Sequence, residues 1–340
     1  MARFSQFGND LYTGKRSYDF VGRRKLWYLI ATLAILGAVI IPCLRGGFVF
    51  GIEFTGGSEF VVSNVSNQSQ SLASDVVARV VPTSVARVSA IGSSSVRVRT
   101  DQVTDSESRE IRNELSTAYA VPVEEVTSSF IGAMWGADVT GQALRGLVLF
   151  VLLAAIVMAL YFRTWKMSAA ALIALLHDLI ITGGVYGISG FEVTPAAVIG
   201  FLTILGYSLY DTVVVFDKIR ENTANFNESS SKTFAEVVNL AVNQTLVRSI
   251  NTSVVAALPV AAILFIGAFI LGAGTLRDIS LALLIGIIVG TYSTIFIAAP
   301  VYAHMRHSEA AIAKYDKKIM ARREKDVSAQ GTPSPASTAG

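Results

Sequence analysis

Six stretches of the chain are apolar for about twenty residues each, and polar segments of very unequal length separate them. They are residues 26–44 ("LWYLIATLAILGAVIIPCL"), 143–162, 167–189, 195–216, 249–272 and 279–303. A hydrocarbon core about 30 Å thick takes roughly 20 helical residues, so each stretch predicts one membrane crossing. Between the first and second stretch, over residues 45–140, the periodicity changes. "FVFGIEFTGGSEFVVS" alternates as strands around a Gly-Gly break, and "SLASDVVARVV" has helical spacing through Leu72, Val76 and Val80. "SVARVSAIG" and "SSVRVRTD" alternate as a hairpin. "TDSESREIRNELSTAYA" opens with Thr104 and Glu107, a capping-box pair, and "VPVEEVTSSFIG" reads as a last strand. The order β-α-β-β-α-β is that of a ferredoxin-like unit. The fold class is therefore a polytopic α-helical membrane protein with six transmembrane helices and a small α+β domain in its first loop.

The division expected is a terminal segment 1–25, a first helix 26–44, the α+β domain 45–140, a five-helix bundle 141–305 and a tail 306–340. Within the bundle, a loop 217–248 is polar at first and then reads as an amphipathic connector helix opened by Thr233 and Glu236. The end of the tail, "VSAQGTPSPASTAG", has the composition of a disordered segment. Small residues recur through the later spans. Ala282, Gly286 and Gly290 form a ladder four residues apart that lets helices approach closely, and Gly206 is expected to serve the same packing.

Composition sharpens this picture. Hydrophobic residues make up 52% of the 340 and charged residues only 16%, far from the usage of soluble domains. The net charge of +3 excludes the broad basic surface that nucleic acid would need. A single cysteine, Cys43, excludes an internal disulfide, and the three histidines are too scattered for a metal site. The first apolar stretch follows Arg23, Arg24 and Lys25 without a small-residue cleavage pattern, and so reads as an uncleaved anchor. Most lysines and arginines fall on the side that carries both termini. Most of the rest lie in the long first loop, where the orientation rule does not count them. The termini are thus expected in the cytoplasm and the α+β domain outside it.

Ionisable groups inside spans are rare and mark proton or ion routes. Here they are His177 and Asp178 in the third span, Asp211 in the fourth and Arg248 at the start of the fifth. Asp211 lies about 16 residues, roughly 24 Å, along its span, within side-chain reach of Arg248. Burial favours the neutral form of a carboxylate and a neighbouring guanidinium the charged form. A pair that approaches and separates would bind and release a proton. Plainer roles stand beside this one: Arg248 as a headgroup anchor, and Asp178 as a structural partner of His177, Thr182 or a backbone group. Glu192 and Asp278 read as ordinary residues of external turns. No phosphate loop, metalloprotease helix or hydrolytic triad occurs, which argues against an enzyme and against a cofactor.

Five motifs, in order, carry a resemblance: "GIEFTGGSEF", "ALLHDLIITGG", "GYSLYDTVVVFDKIREN", "NQTLVRSINTS" and "GTYSTIFIAAPV". Together they resemble the SecF family of bacterial protein-export proteins. The resemblance implies half of an RND-superfamily transporter in the cytoplasmic membrane. Its partners would be SecD, a small accessory subunit and the SecYEG channel, and it would use the proton motive force to help preproteins cross. It puts functional roles on Asp211 and Arg248, with Asn251, Thr252 and Ser253 one turn beyond; Tyr210 stands where many members have Asn. Two other readings remain at this stage. A proton-coupled small-molecule permease would want a larger external domain, and a scaffold would use the charges only for packing.

Overall fold

A computed structural model describes residues 2–92, 94–162, 164–224, 231–267 and 274–330. After a short helix α1 (Ala2–Tyr12), six helical segments are long and apolar enough to cross a membrane. They are α2 (Arg24–Leu44), α6 (Ala133–Phe162), α7 (Trp165–Ser189), α8 (Pro195–Thr223), α9 (Phe234–Phe265) and a composite sixth. The sixth joins α10 (Gly274–Ser293), a wider π turn (Thr294–Ala298) and α11 (Ala299–His307). The π turn sits just before Pro300, whose ring would collide with the carbonyl four residues back in a regular helix.

The first loop folds into the expected α+β unit. Between α2 and α6 lie β1 (Val49–Phe50), the single turn α3 (Ile52–Thr55), β2 (Gly57–Val62), α4 (Gln70–Val80), β3 (Arg87–Ile91), β4 (Ser95–Thr100), α5 (Asp105–Tyr119) and β5 (Val126–Ile131). The sheet order is β3-β4-β2-β5, antiparallel throughout. One sheet face buries Phe60, Val96, Val98 and Val126 against Val76, Val77, Ile111 and Leu115 of the two helices. At the start of α5, Thr104 Oγ1 accepts from Glu107 N while Glu107 accepts from Thr104 N, which closes the capping box.

Four expectations need correction. "FVFGIEF" is not a strand of this sheet: β1 pairs in parallel with β6 (Glu192–Val193), in the turn between α7 and α8, and Ile52–Thr55 is helical. Gly56 and Gly57, at φ 74° and 134°, make the break that follows. A Cβ on Gly57 would stand 2.5 Å from the carbonyl oxygen of Thr100, so only glycine lets β2 pass β4 there. Secondly, the connector helix and the fifth span are one helix of 32 residues, because nothing between the Thr233 capping box and Pro259 interrupts it. Thirdly, the tail forms α12 (Ala310–Gln330), in which Ile312 and Ile319 are buried and Asp316 Oδ1 accepts from Phe234 N at 2.9 Å. The remainder of the segment expected to be disordered lies outside the described residues. Finally, Glu192 and Asp278 are more than turn residues. Glu192 pairs with Arg99 of β4, which also pairs with Glu59 at 2.5 Å. Asp278 Oδ2 accepts from Thr194 Oγ1 at 3.1 Å, and its backbone carbonyl accepts from the Tyr186 hydroxyl at 3.1 Å. This cluster rivets the α+β domain to its end of the bundle.

Candidate functional site: a hydroxyl-lined pair of buried carboxyls

The helix pair α8 and α10 builds the site. Along α8, Gly200, Ile204, Ser208, Asp211 and Thr212 recur every three or four residues and are all buried or nearly so. The facing ridge of α10 is the small-residue ladder. Ala282 meets Gly200, Gly286 receives the side chain of Ile204, and a Cβ on Gly290 would lie 3.1 Å from that of Ser208. Gly286 and Gly290 therefore pack as expected, and close approach brings the polar residues of the next turn together. Thr212 Oγ1 and Thr294 Oγ1, the latter in the π turn, are 3.0 Å apart.

Asp211 is 5% exposed, and the residue that meets it is Ser249, whose Oγ donates to Asp211 Oδ1 at 2.8 Å. Its other oxygen, Oδ2, is buried with no hydrogen-bond partner among the described residues. One turn away, the Asp178 Oδ2 accepts from Ser208 Oγ at 2.5 Å and Asp178 Oδ1 lies 3.2 Å from His177 Nδ1. His177 and Asp178 are 4% and 2% exposed, and His177 Nε2 has no partner among the described residues. On the α9 side, Ser253 Oγ donates to the Ser249 carbonyl at 2.8 Å and is 2.5 Å from Thr291 Oγ1. Two carboxyls at membrane depth thus sit among hydroxyls from three spans, α8, α9 and the composite sixth. An unpaired ionised carboxylate at such depth costs several kcal/mol. Hydroxyls suit both of its protonation states, since each can donate or accept.

The expected contact between Asp211 and Arg248 is absent: no ion pair joins them within 4.0 Å, and Arg248 is exposed. The reason is helical phase. The buried stripe of α9 runs Val238, Val242, Leu246, Ser249, Ser253, and Arg248, one position off it, points about 100° away. Asn251 is exposed on the same outer side, and Thr252 donates back to the Arg248 carbonyl at 2.8 Å. Gly206 is likewise exposed, with nothing within 4 Å of a Cβ placed on it, so it packs against no helix among the described residues. Sequence reasoning names Ser253 beside Arg248 but misses Ser249, Ser208, Thr212, Thr294 and Thr291. Their signal was present: each continues an apolar or small-residue stripe at a spacing of three or four. Among the described residues, no three His, Cys, Asp or Glu side chains converge as a metal site would require.

Comparisons with known proteins agree on the family. The model of "Protein export membrane protein SecD/SecF, C-terminal" matches residues 111–308. The chain is 43% identical to the protein translocase subunit SecF of Streptomyces coelicolor over 95% of its own length and 86% of that protein's. It is 40% identical to the SecF of Mycobacterium tuberculosis, covering 93% and 73% of the two chains. Among solved structures, SecDF of Thermus thermophilus, titled a translocon-associated membrane protein, superposes with a TM-score of 0.75 at 27% identity. The match takes in 86% of this chain but only 39% of that longer one. With this fold, this arrangement of spans and these relatives, the chain belongs to the SecF family of protein translocase subunits.

Proposed function

We propose that this SecF subunit couples proton movement to preprotein export by letting Asp211 take up and release a proton inside the bundle. The observation that carries this reading is the state of the Asp211 carboxyl: one oxygen held by Ser249, the other buried and unpartnered. A proton can come and go at Oδ2 while Ser249 keeps the side chain in place. Asp178 with His177, on α7, forms a second buried acid–imidazole unit, tied to α8 by Ser208, which stands one turn from Asp211. One charge crossing the membrane potential yields about 2.3 kcal/mol per 100 mV, enough to bias the packing of two helices. No catalytic residue, cofactor or metal enters this scheme.

Arg248, Asn251, Gly206 and Tyr210 all lie on the uncovered face of α8 and α9. Polar and charged groups facing lipid at this depth are costly, so this strip is the natural seat of a second, SecD-like half. Arg248 would then reach Asp211 or a carboxylate of the partner from that interface, as in transporters built from paired halves. The partners in this reading are SecD, a small accessory subunit and the SecYEG channel. The chain lies in the bacterial cytoplasmic membrane with both termini inside, and preproteins emerge on the side of the α+β domain. In Asp211→Asn, the complex should assemble normally while the increase in export caused by a proton gradient disappears; gradient dependence equal to wild type would rule the proton role out.

A further inference from the structure

A cavity of about 930 Å³ opens sideways between α2 and α9. Trp27, Ile250, Val254, Ile288, Tyr292 and Phe296 form its walls. Val254 and Ile288 are 51% and 63% exposed, so no other helix among the described residues fills the space. Trp27 stands three residues from the end of α2 that is remote from the α+β domain, which places the cavity in the far half of the bilayer.

The segment from Ser17 to Arg23 closes that far end as a rim. Two asparagines one turn apart on α9 hold it firmly. Tyr18 N donates to Asn243 Oδ1 and Phe20 N to Asn239 Oδ1, both at 2.8 Å. Both asparagine side chains also donate to the Tyr18 carbonyl at 2.9 Å. The rim therefore stands in a fixed conformation. On it, Arg23 is exposed and makes no ion pair with a described carboxylate. The one acid alongside, Asp19, is engaged by Gly22 N at 2.7 Å. Arg24 and Lys25 follow directly, so the mouth is basic.

We infer that this cavity is a phospholipid site, with an acyl chain lying along Ile250, Val254 and Ile288 and the anionic headgroup at Arg23. An apolar recess open to hydrocarbon is filled by hydrocarbon, and chains gain little from leaving neighbouring chains for an apolar wall. Selection must therefore come from the headgroup, and a cation at headgroup level supplies it. A transmembrane partner helix, about 10–12 Å across, would have to run on past the rim and would strike it. A lipid ends there. The seated chain would press on Tyr292 and Phe296, whose rings stack with centroids 5.1 Å apart. These flank the π-turn residue Thr294 that bonds Thr212, so an occupied groove would brace the wall of the carboxyl site.

The test uses the full chain with its membrane partner, reconstituted in vesicles of phosphatidylethanolamine and phosphatidylglycerol that carry phosphatidylglycerol with a photoactivatable acyl chain. Label should concentrate on Leu246–Ala257 and Ile287–Phe296 over the exposed face of α6. Val254→Trp, which obstructs the wall along which the acyl chain lies, should remove most of it while sparing the α6 label. Arg23→Gln should lower labelling by the phosphatidylglycerol probe about fivefold, as expected for one cation at an anionic surface. A photoactivatable fatty acid should show no enrichment there. Label spread evenly over all lipid-facing helices, label indifferent to Val254→Trp, or equal enrichment of the fatty acid would overturn the site. So would label that appears on the isolated chain and vanishes on assembly, since a partner would then occupy the groove.

Discussion

The two ends of this molecule treat buried charge in opposite ways. Where the α+β domain meets the bundle, Glu59, Arg97, Arg99 and Glu192 form paired charges, with Arg277 and Asp278 joined at 3.0 Å alongside. Deep in the bundle, Asp211 and Asp178 have no lysine or arginine within ion-pair distance among the described residues, only hydroxyls and one imidazole. An ion pair holds both partners in a single charge state, because removing either charge strands the other. A hydroxyl imposes no such condition. Fixed pairs thus suit a joint that transmits movement, and hydroxyl cradles suit a group that must change its charge.

The largest effect that would break this contrast is at Asp211 itself. Asp211→Asn keeps the acceptor for Ser249 and removes the proton site, so gradient-stimulated export in membrane vesicles should fall to the unstimulated level with assembly unchanged. Next, Gly286→Leu should separate α8 from α10, because even a Cβ there collides with Ile204. Overpacking costs about 1–3 kcal/mol or more, seen as a lower melting temperature in detergent and loss of the site together. Gly206→Leu, on the open face, should leave the melting temperature of the isolated subunit within error yet weaken capture of the SecD-like partner.

At the joint, Arg99→Ala should cost about 3 kcal/mol, the lower end of the range for breaking a buried pair, because Glu59 and Glu192 keep some solvent contact. Faster hydrogen exchange in β4 and in the α7–α8 turn, with a normal infrared signature of Asp211, would show that joint and site are separable. The smallest effect is at the opposite end of the bundle. Glu309 is held below the usual carboxylate value of 4.5, chiefly by its hydrogen bond from Arg306 and also by Lys166. A depressed carboxylate stabilises the fold above its unfolded value and loses that contribution as pH falls through the lower, folded value. Melting temperature should accordingly hold steady down to about pH 5 and decline below about 4.5. Glu309→Gln should shallow that decline.

What the sequence made legible follows from periodicity. Six apolar windows marked six spans, and strand alternation with two capping boxes marked the domain and the start of α9, since these signals are local. The course of α9 as one helix through Arg248 was less visible, because polar residues near a membrane boundary suit both a connector and a helix end. Ser249 was legible in principle: the stripe Val238, Val242, Leu246 points to 249 rather than 248. The charged neighbour Arg248 is the more conspicuous residue along the chain, but charge alone does not set helical phase. Gly206 shows the same limit for small residues, because a glycine facing a neighbouring helix and one facing an open surface read alike along the chain. The strap from Asn239 and Asn243 to Tyr18 spans more than two hundred residues of sequence and left no local trace.

The most direct test of the central claim is infrared difference spectroscopy of the assembled complex in vesicles, with and without a proton gradient, watching the carbonyl band of a protonated carboxylic acid. A band that changes between the two conditions, shifts in Ser249→Ala and is missing in Asp211→Asn is the predicted result. An Asp211 carboxylate that stays ionised under every condition would contradict it.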